Sequence, residues 1–329
     1  MSGLHPGHPL LDSVIRVGIC RALDGVRFLP DWEAFLAGLG CEIVVSEPTT
    51  RQMVESGVRQ APAELCLPVK ACVGHALALQ GRVDRFLLPR IVCRRTKEGP
   101  LFGCPKAIAL PDMLRALIPD LPPIVEFLLD EREGDESRAY RELAEALGLR
   151  KRRAGGWPTE KWPREKRPSG PAAEWSHRQV TEQAGPGLAG RARTPVVAVV
   201  GHDYLIDDDE LSLGLLPRLA AAGAQVARGT PEASGAAAIL PGFEPDWLFE
   251  RELIRQALGW ASRLEVDGLL LATSFACGTS AVTYDIIRRA VRRHRPELAV
   301  LELVFDEQTG PAGLTTRIES FVELLRMRR

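Results

Sequence analysis

The chain has 329 residues, of which 45% are hydrophobic and 26% are charged, and its net charge at pH 7 is −1. This length exceeds that of a typical single domain, and the apolar content is sufficient for buried cores, so we expect two globular domains. The balanced charge argues against a protein whose main partner is nucleic acid or an anionic membrane.

The amino terminus lacks the basic and apolar regions of a secretory signal, and no uncharged apolar run reaches the ~18–20 residues that span a bilayer. The sequence therefore predicts a cytoplasmic protein, in which thiols stay reduced. The seven cysteines are irregularly spaced. That pattern argues against a disulfide framework and leaves metal binding, catalysis or burial open.

The first part of the chain alternates strand and helix patterns. Four β-rich runs are predicted to be strands: 14–20, 41–46, 85–92 and 105–110. Three runs with helical spacing are predicted to be helices: 30–40, 68–80 and 111–118. This alternation predicts an α/β domain with a parallel sheet over residues 14–130.

Residues 131–193 interrupt the alternation. A short predicted helix at 137–149 precedes a basic segment, 150–171, rich in Arg, Lys, Gly and Pro. We interpret residues 131–193 as a solvated linker or insertion. Trp157, Trp162 and Trp175 leave open a docking segment for an acidic partner or nucleic acid, because aromatic residues among basic ones can stack on bases. The near-neutral net charge makes nucleic acid the weaker alternative.

A second α/β domain is predicted from residue 194 to 329. Its predicted strands are the apolar runs 195–201, 266–273 and 297–305. Its predicted helices are the runs 207–223, 280–294 and 312–327. The two parts of the chain thus predict two similar α/β layers.

Three cysteines occupy positions where α/β proteins bind ligands. Cys66 precedes a Pro in the first turn of a predicted helix, and Cys277 lies between a predicted strand and the next helix. Cys104 lies in the loop before the strand predicted at 105–110. Ligands of open α/β sheets bind at the carboxyl ends of strands, and a helix N-terminus favours a thiolate. This arrangement suits thiolate ligands of a metal or of an anionic cluster.

The other cysteines fit burial better, because free cysteine usually packs as a small hydrophobe. Cys20, Cys41 and Cys72 belong to this group, whereas Cys93 is the substitute ligand if one of the three candidates is wrong. The chain contains no Cys-x-x-Cys pair, so a metal site must be assembled from distant segments. It also contains neither a Walker A sequence nor a Gly-x-Gly-x-x-Gly fingerprint, so we expect no ATP hydrolysis and no standard NAD site.

Several segments together carry a family resemblance, and they occur in the right order along the chain: "VGICRAL", "ELCLPVKACVGH", "FLLPRIV", "GCPKAIALPDM", "GHDYLIDDD", "SFACGTSAVTYD" and "FDEQTGPAGLTTRIESF". With these motifs the sequence resembles the acyl-CoA dehydratase activase-related proteins. Those proteins are relatives of the iron–sulfur subunits of 2-hydroxyacyl-CoA dehydratases and of double-cubane cluster proteins.

The resemblance implies two Rossmann-like (flavodoxin-like) domains with a cleft between them. It implies that Cys66, Cys104 and Cys277 hold a [4Fe–4S] cluster in this cleft, with a double cubane as the variant. It also implies low-potential electron transfer or reduction, driven by a separate ATP-hydrolysing activase. An acyl-CoA or another small molecule is the implied substrate class, and a homodimer or heterodimer is the implied assembly.

The sequence departs from the family pattern at ionisable positions. Val73 and Gln308 stand where the family usually has His, and Pro311 stands where it has Glu. Because the thiols are kept, we expect cluster binding rather than the proton transfer of a dehydratase. The alternatives are a non-catalytic scaffold or regulatory subunit that binds an activase-like partner, and a structural zinc site.

Five further residues are candidates for contacts with a bound group. Lys70 follows Cys66 by one helical turn and could offset negative charge, or it could be a solvated helix lysine. His75 could donate to a sulfur or be satisfied within its helix. Gly278 leaves room for close approach beside Cys277. His202 and Asp203 end a predicted strand, where binding residues collect.

Overall fold

A computed structural model describes residues 14–149, 194–229, 231 and 245–328. These residues form two α/β units, each built on a largely parallel sheet flanked by helices. The predicted class of two Rossmann-like domains is therefore confirmed. In the described ranges, no helix is both long and apolar enough to cross a membrane. The basic segment 150–171 lies outside them.

The first sheet has the strand order β2–β1–β3–β5 with parallel pairing, and β4 pairs antiparallel with the end of β3. Its strands are β1 (Arg16–Ile19), β2 (Glu42–Val45), β3 (Arg85–Thr96), β4 (Gly99–Phe102) and β5 (Ile124–Asp130). The accompanying helices are α1 (Asp24–Gly38), α2 (Arg51–Gln60), α3 (Leu67–Leu79), α4 (Pro105–Ile108), α5 (Leu110–Leu117) and α6 (Glu136–Ala146).

Both faces of the first sheet are covered, as a parallel sheet requires. Helices α1 and α6 pack on one face, with Trp32 and Phe127 at the centre of that core. Helices α3 and α5 pack on the other face against Phe86 and Leu88 of β3. Each large apolar side chain buried in this way contributes about 1.5–3 kcal/mol to folding. Helix α6 lies within the predicted insertion 131–193, and it packs into the core of the first unit.

The second sheet has the order β7–β6–β8–β9, and all of its pairs are parallel. Its strands are β6 (Val196–Gly201), β7 (Gln225–Ala227), β8 (Gly268–Ser274) and β9 (Ala299–Phe305). Its helices are α7 (Asp203–Ile206), α8 (Leu215–Ala221), α9 (Leu248–Ala261), α10 (Gly278–His294) and α11 (Pro311–Met327). The order in which strands are added reverses between β6 and β8, because β7 lies on one side of this pair and β9 on the other, and such folds leave a ligand crevice there.

Helix α3 joins the two units. It is buried on nearly all sides, as expected of a helix whose sequence is apolar all round. Val69 and Val73 pack against the first sheet, whereas Leu67 and Ala71 belong to the core beneath the second sheet. The backbone N–H of Leu67 donates to Ser274 Oγ at the end of β8, over 3.1 Å. The residues around Cys66 are therefore fixed against both units.

Two predicted elements are wrong. The strand predicted at 105–110 is instead α4 followed by the start of α5, so Cys104 precedes a helix rather than a strand. A Cβ at Gly103 would collide with the Ile91 carbonyl oxygen, so the chain turns closely against β3 there. The helix predicted at 207–223 is confined to α8, because turns and a left-handed Gly214 precede it.

Candidate functional site

The three cysteines predicted to be ligands all occupy the N-cap position of a helix. Cys66 precedes α3, Cys104 precedes α4 and Cys277 precedes α10, and each has an extended backbone. At this position the unpaired N–H groups of the first helical turn point towards the side chain and favour negative charge. Backbone N–H groups of all three helices act on the corresponding sulfur atoms.

The charges of the three thiols affect one another, although the described residues bring three ligand atoms within 4.8 Å of one another only at His202, Glu250 and Cys277. Burial raises the pKa of Cys66 to about 11, and the charges of Cys277 and Cys104 contribute to that rise. Burial also raises the pKa of Cys104, and the charge of Cys277 again adds to it. Two of these thiols come from the first unit and the third comes from the second, so the group lies between the units. Cys93 is instead buried within β3, opposite Phe102.

Cys277 differs from the other two thiols because a buried histidine lies beside it. Burial opposes ionisation of Cys277, but interactions with His202 and Ser280 outweigh burial and lower the pKa of this thiol to about 7. Burial likewise opposes the charged form of His202, yet Cys277 and Glu250 raise the pKa of the imidazole to about 9. Near neutral pH, His202 is thus held as an imidazolium beside a partly ionised thiol.

Glu250 of α9 organises this group. Its Oε1 accepts hydrogen bonds from His202 Nε2 (3.1 Å), Thr279 Oγ1 (2.7 Å) and Ser280 Oγ (3.1 Å). The Cys277 thiol in turn donates to Ser280 Oγ over 3.1 Å. Glu250 Oε2 is buried and has no hydrogen-bond partner in the described part of the chain. One ligand atom each of His202, Glu250 and Cys277 lies within 4.8 Å of the others, so these three residues could hold a metal ion.

Tyr204 and Asp24 complete the surroundings of the thiols. The Tyr204 ring stacks on His202, with 4.8 Å between the ring centroids and 9° between the planes. Burial raises the pKa of the Tyr204 hydroxyl, and the charges of all three cysteines and of Asp24 raise it further. Asp24 is 5% exposed and lines a cavity of about 10 Å³. Burial raises the pKa of this carboxyl.

Two lysines hold the loop that precedes Cys66. Lys70 is 2% exposed, and its ammonium donates to Glu307 Oε1 (2.7 Å) and to the Ala63 carbonyl (3.1 Å). The Lys106 ammonium donates to the carbonyls of Glu64 and Ala276, over 2.8 Å in each case. The predicted Lys70 is therefore engaged with Glu307, and its contact with a bound group stays a prediction.

His75 lies in a hydrogen-bond network that links the two units. Its Nδ1 is 2.8 Å from Ser46 Oγ and its Nε2 is 2.9 Å from Thr49 Oγ1. The Thr49 hydroxyl donates to Asp208, so Thr49 can only accept from His75, and the ring proton must reside on Nε2. Burial lowers the pKa of His75 to about 4. Both ring nitrogens have protein partners, and the predicted cofactor contact stays a prediction.

The residue before Cys277 has a strained backbone, and the residue after it adjoins open space. Ala276 has a φ of 61°, a left-handed conformation that is strained for any residue with a Cβ. A Cβ added to Gly278 would meet no atom within 4 Å, so the first turn of α10 faces open space. Strained backbone collects at functional sites, where surrounding contacts maintain it. Gly278, a predicted site residue, therefore lies next to open space directly after Cys277.

The residues not predicted from sequence are Asp24, Lys106, Tyr204 and Glu250. The signals for Tyr204 and Lys106 were present, because both lie within two residues of a predicted site residue, His202 and Cys104 respectively. Glu250, in contrast, has no predicted site residue near it in the sequence. Its helix begins after Trp247 without a side-chain cap, so the usual marker of a helix start is missing.

Comparison with known proteins identifies one family. A family model described as "CoA enzyme activase uncharacterised domain (DUF2229)" matches residues 16–229. This range covers the first sheet and the beginning of the second unit, including Cys66, Cys104 and His202. It ends before Glu250 and Cys277. No curated protein matches the chain.

Proposed function

Because the chain belongs to the CoA enzyme activase family of uncharacterised domains, we propose that it is an iron–sulfur protein of low-potential electron transfer or reduction. Its ligands would be Cys66, Cys104 and Cys277. One observation carries the proposal: Cys66, Cys104 and Cys277 are each the N-cap of a helix, and hydrogen bonds of one lysine join their three segments. The proposed kinship is with 2-hydroxyacyl-CoA dehydratase subunits and double-cubane proteins.

The donor set fits an iron–sulfur cluster. Thiolates are the protein ligands that such clusters use. A cluster held by several thiolates would be an anion, and the N–H groups that follow the three N-cap cysteines would favour its negative charge. Burial raises the pKa values of Cys66 and Cys104. Binding by these two residues should therefore release protons, as thiol ligation generally does.

A bound [4Fe–4S] cluster would supply one-electron chemistry at a potential set by its ligands and surroundings. The residues of the chain would act around it. Glu250 orients His202 beside Cys277, and the imidazolium provides positive charge and a proton near that sulfur. Tyr204 stacks on His202 at this site. The open space at Gly278 leaves room for the group itself or for a small molecule.

The partners in this proposal follow from its chemistry. An ATP-hydrolysing activase would deliver the electron, because the sequence carries no nucleotide fingerprint of its own. An acyl-CoA or another small molecule would receive it. We further propose a cytoplasmic location, two domains over residues 14–130 and 194–329 with α6 packed on the first, and assembly as a homodimer or heterodimer.

Single alanine variants test the ligand assignment. Cys66→Ala, Cys104→Ala and Cys277→Ala should each lose most of the iron and sulfide of protein purified without oxygen. Cys41→Ala is the matched control, because Cys41 is a half-buried cysteine outside the site, beside β2. Full iron and sulfide in all three site variants would contradict the assignment.

A second candidate is a scaffold or regulatory subunit with a single structural metal ion. The ligand atoms of His202, Glu250 and Cys277 within 4.8 Å of one another favour this candidate, because imidazole, carboxylate and thiolate are all zinc ligands. Metal analysis separates the two. About one zinc per chain, lost in Glu250→Gln and kept in Cys66→Ala, would support the scaffold.

A further inference from the structure

Lys106 connects all three cysteine segments through its ammonium group. It lies two residues after Cys104, and it donates to the carbonyls of Glu64 and Ala276, over 2.8 Å in each case. Glu64 lies two residues before Cys66, and Ala276 immediately precedes Cys277. One side chain therefore holds the three segments at a common point, including the strained residue before Cys277.

Among the described residues, the ammonium of Lys106 is not paired with a carboxylate. In the described part of the chain, no carboxylate lies within ion-pair distance of its ammonium, whereas the ammonium of Lys70 pairs with Glu307. Both partners of Lys106 are neutral carbonyls. The half-buried Lys106 thus places a positive charge beside the thiols.

We propose that Lys106 is the positioning residue of the three-cysteine site, and that it supplies the positive charge against which the thiolates and their bound group are held. The proposal deepens the proposed iron–sulfur function and rests on it for the identity of the bound group. Hydrogen bonds to a charged donor are about twice as strong as neutral ones, so two from one ammonium suit this role.

Two neutral variants of Lys106 test its role, and one of them keeps a hydrogen-bond donor. Lys106→Met keeps most of the length of the side chain and removes both the charge and the donors. Lys106→Gln removes the charge and keeps a donor, on a side chain one atom shorter than that of Lys. Lys97→Met is the matched control, because Lys97 is an exposed lysine in the turn between β3 and β4. Far-ultraviolet circular dichroism establishes that each variant is folded.

The first readout is the spacing of the thiols in protein free of metal. Dibromobimane joins two thiols that lie close together, and peptide mass spectrometry identifies the Cys104–Cys277 product. Losing even one charge-assisted hydrogen bond should lower the rate of this cross-link by about tenfold or more. The second readout is the uptake of iron and sulfide on anaerobic reconstitution with ferrous iron and sulfide.

The expected result is slow cross-linking and poor iron uptake in both Lys106 variants, with Lys97→Met equal to the wild type. Wild-type cross-linking rates in both folded variants would overturn the proposal. Loss of folding in both variants would also overturn it, because Lys106 would then serve general stability. A wild-type chain that cross-links but takes up no iron would contradict the iron–sulfur function, and the cross-linking result would still decide the role of Lys106.

Discussion

Replacing His75 with Gln should remove an acid-sensitive part of the folding free energy. His75 is fully buried between Ser46 and Thr49, and burial followed by the charge of Arg21 lowers its pKa to about 4. The ordinary pKa of the imidazole is about 6.5. As the pH falls below 6.5, the unfolded chain therefore takes up a proton at His75 while the folded chain does not.

The magnitude follows from the difference between these two pKa values. One pKa unit corresponds to about 1.4 kcal/mol, so His75 should destabilise the folded chain by about 3 kcal/mol as the pH falls from about 6.5 to about 4. The loss develops within that window and levels off outside it. In His75→Gln the side chain does not titrate, so this component should be absent.

Urea unfolding at a series of pH values measures the effect. Carboxylates also titrate in acid, so the relevant quantity is the difference in unfolding free energy between wild type and His75→Gln at each pH. That difference should shift by about 3 kcal/mol between pH 6.5 and pH 4, in favour of the variant at low pH. The matched control is His294→Gln, at the exposed end of α10. Parallel pH curves for wild type and His75→Gln would refute the reasoning.

Two further predictions concern the interface and the thiols. Lys70→Met should lower the unfolding free energy by about 1–3 kcal/mol, because it removes a charged hydrogen bond to Glu307; unchanged urea unfolding would contradict this. In metal-free protein, iodoacetamide should alkylate Cys277 at a rate that rises through about pH 7 and then levels off, whereas Cys66, with its pKa near 11, should react far more slowly. In His202→Gln, the midpoint of the pH dependence of Cys277 alkylation should move to higher pH. An unchanged midpoint would contradict the role given to the imidazolium.

Much of the fold could be predicted from local patterns in the sequence. The strands β1, β2, β6, β8 and β9 coincide with apolar runs, and α3 and α10 begin near the predicted residues. Period-two and period-3.6 patterns arise from side-chain direction, so they are readable wherever one face is buried. The strand predicted at 105–110 is wrong, because a few apolar residues fit a strand and a helix equally well.

The partners of the thiols could not be predicted in the same way. The contact of Leu67 with Ser274 joins residues 207 positions apart, and the contact of Lys70 with Glu307 joins residues 237 positions apart. Such pairs depend on how the two units pack against each other, and no local pattern in the sequence reveals that packing. Cys66 and Cys277 lie beside predicted helix starts, and Cys104 lies in a family motif, so the sequence indicates the three thiols but not their contacts with Glu250 and Lys106.

The most direct test of the iron–sulfur proposal is an absorption spectrum of wild-type protein purified without oxygen, with iron and acid-labile sulfide counted on the same sample. The proposal predicts a broad band in the violet region and about four iron and four sulfide per chain, or about twice that for a double cubane. A colourless protein that contains no iron, and that takes up none on reconstitution, would contradict it.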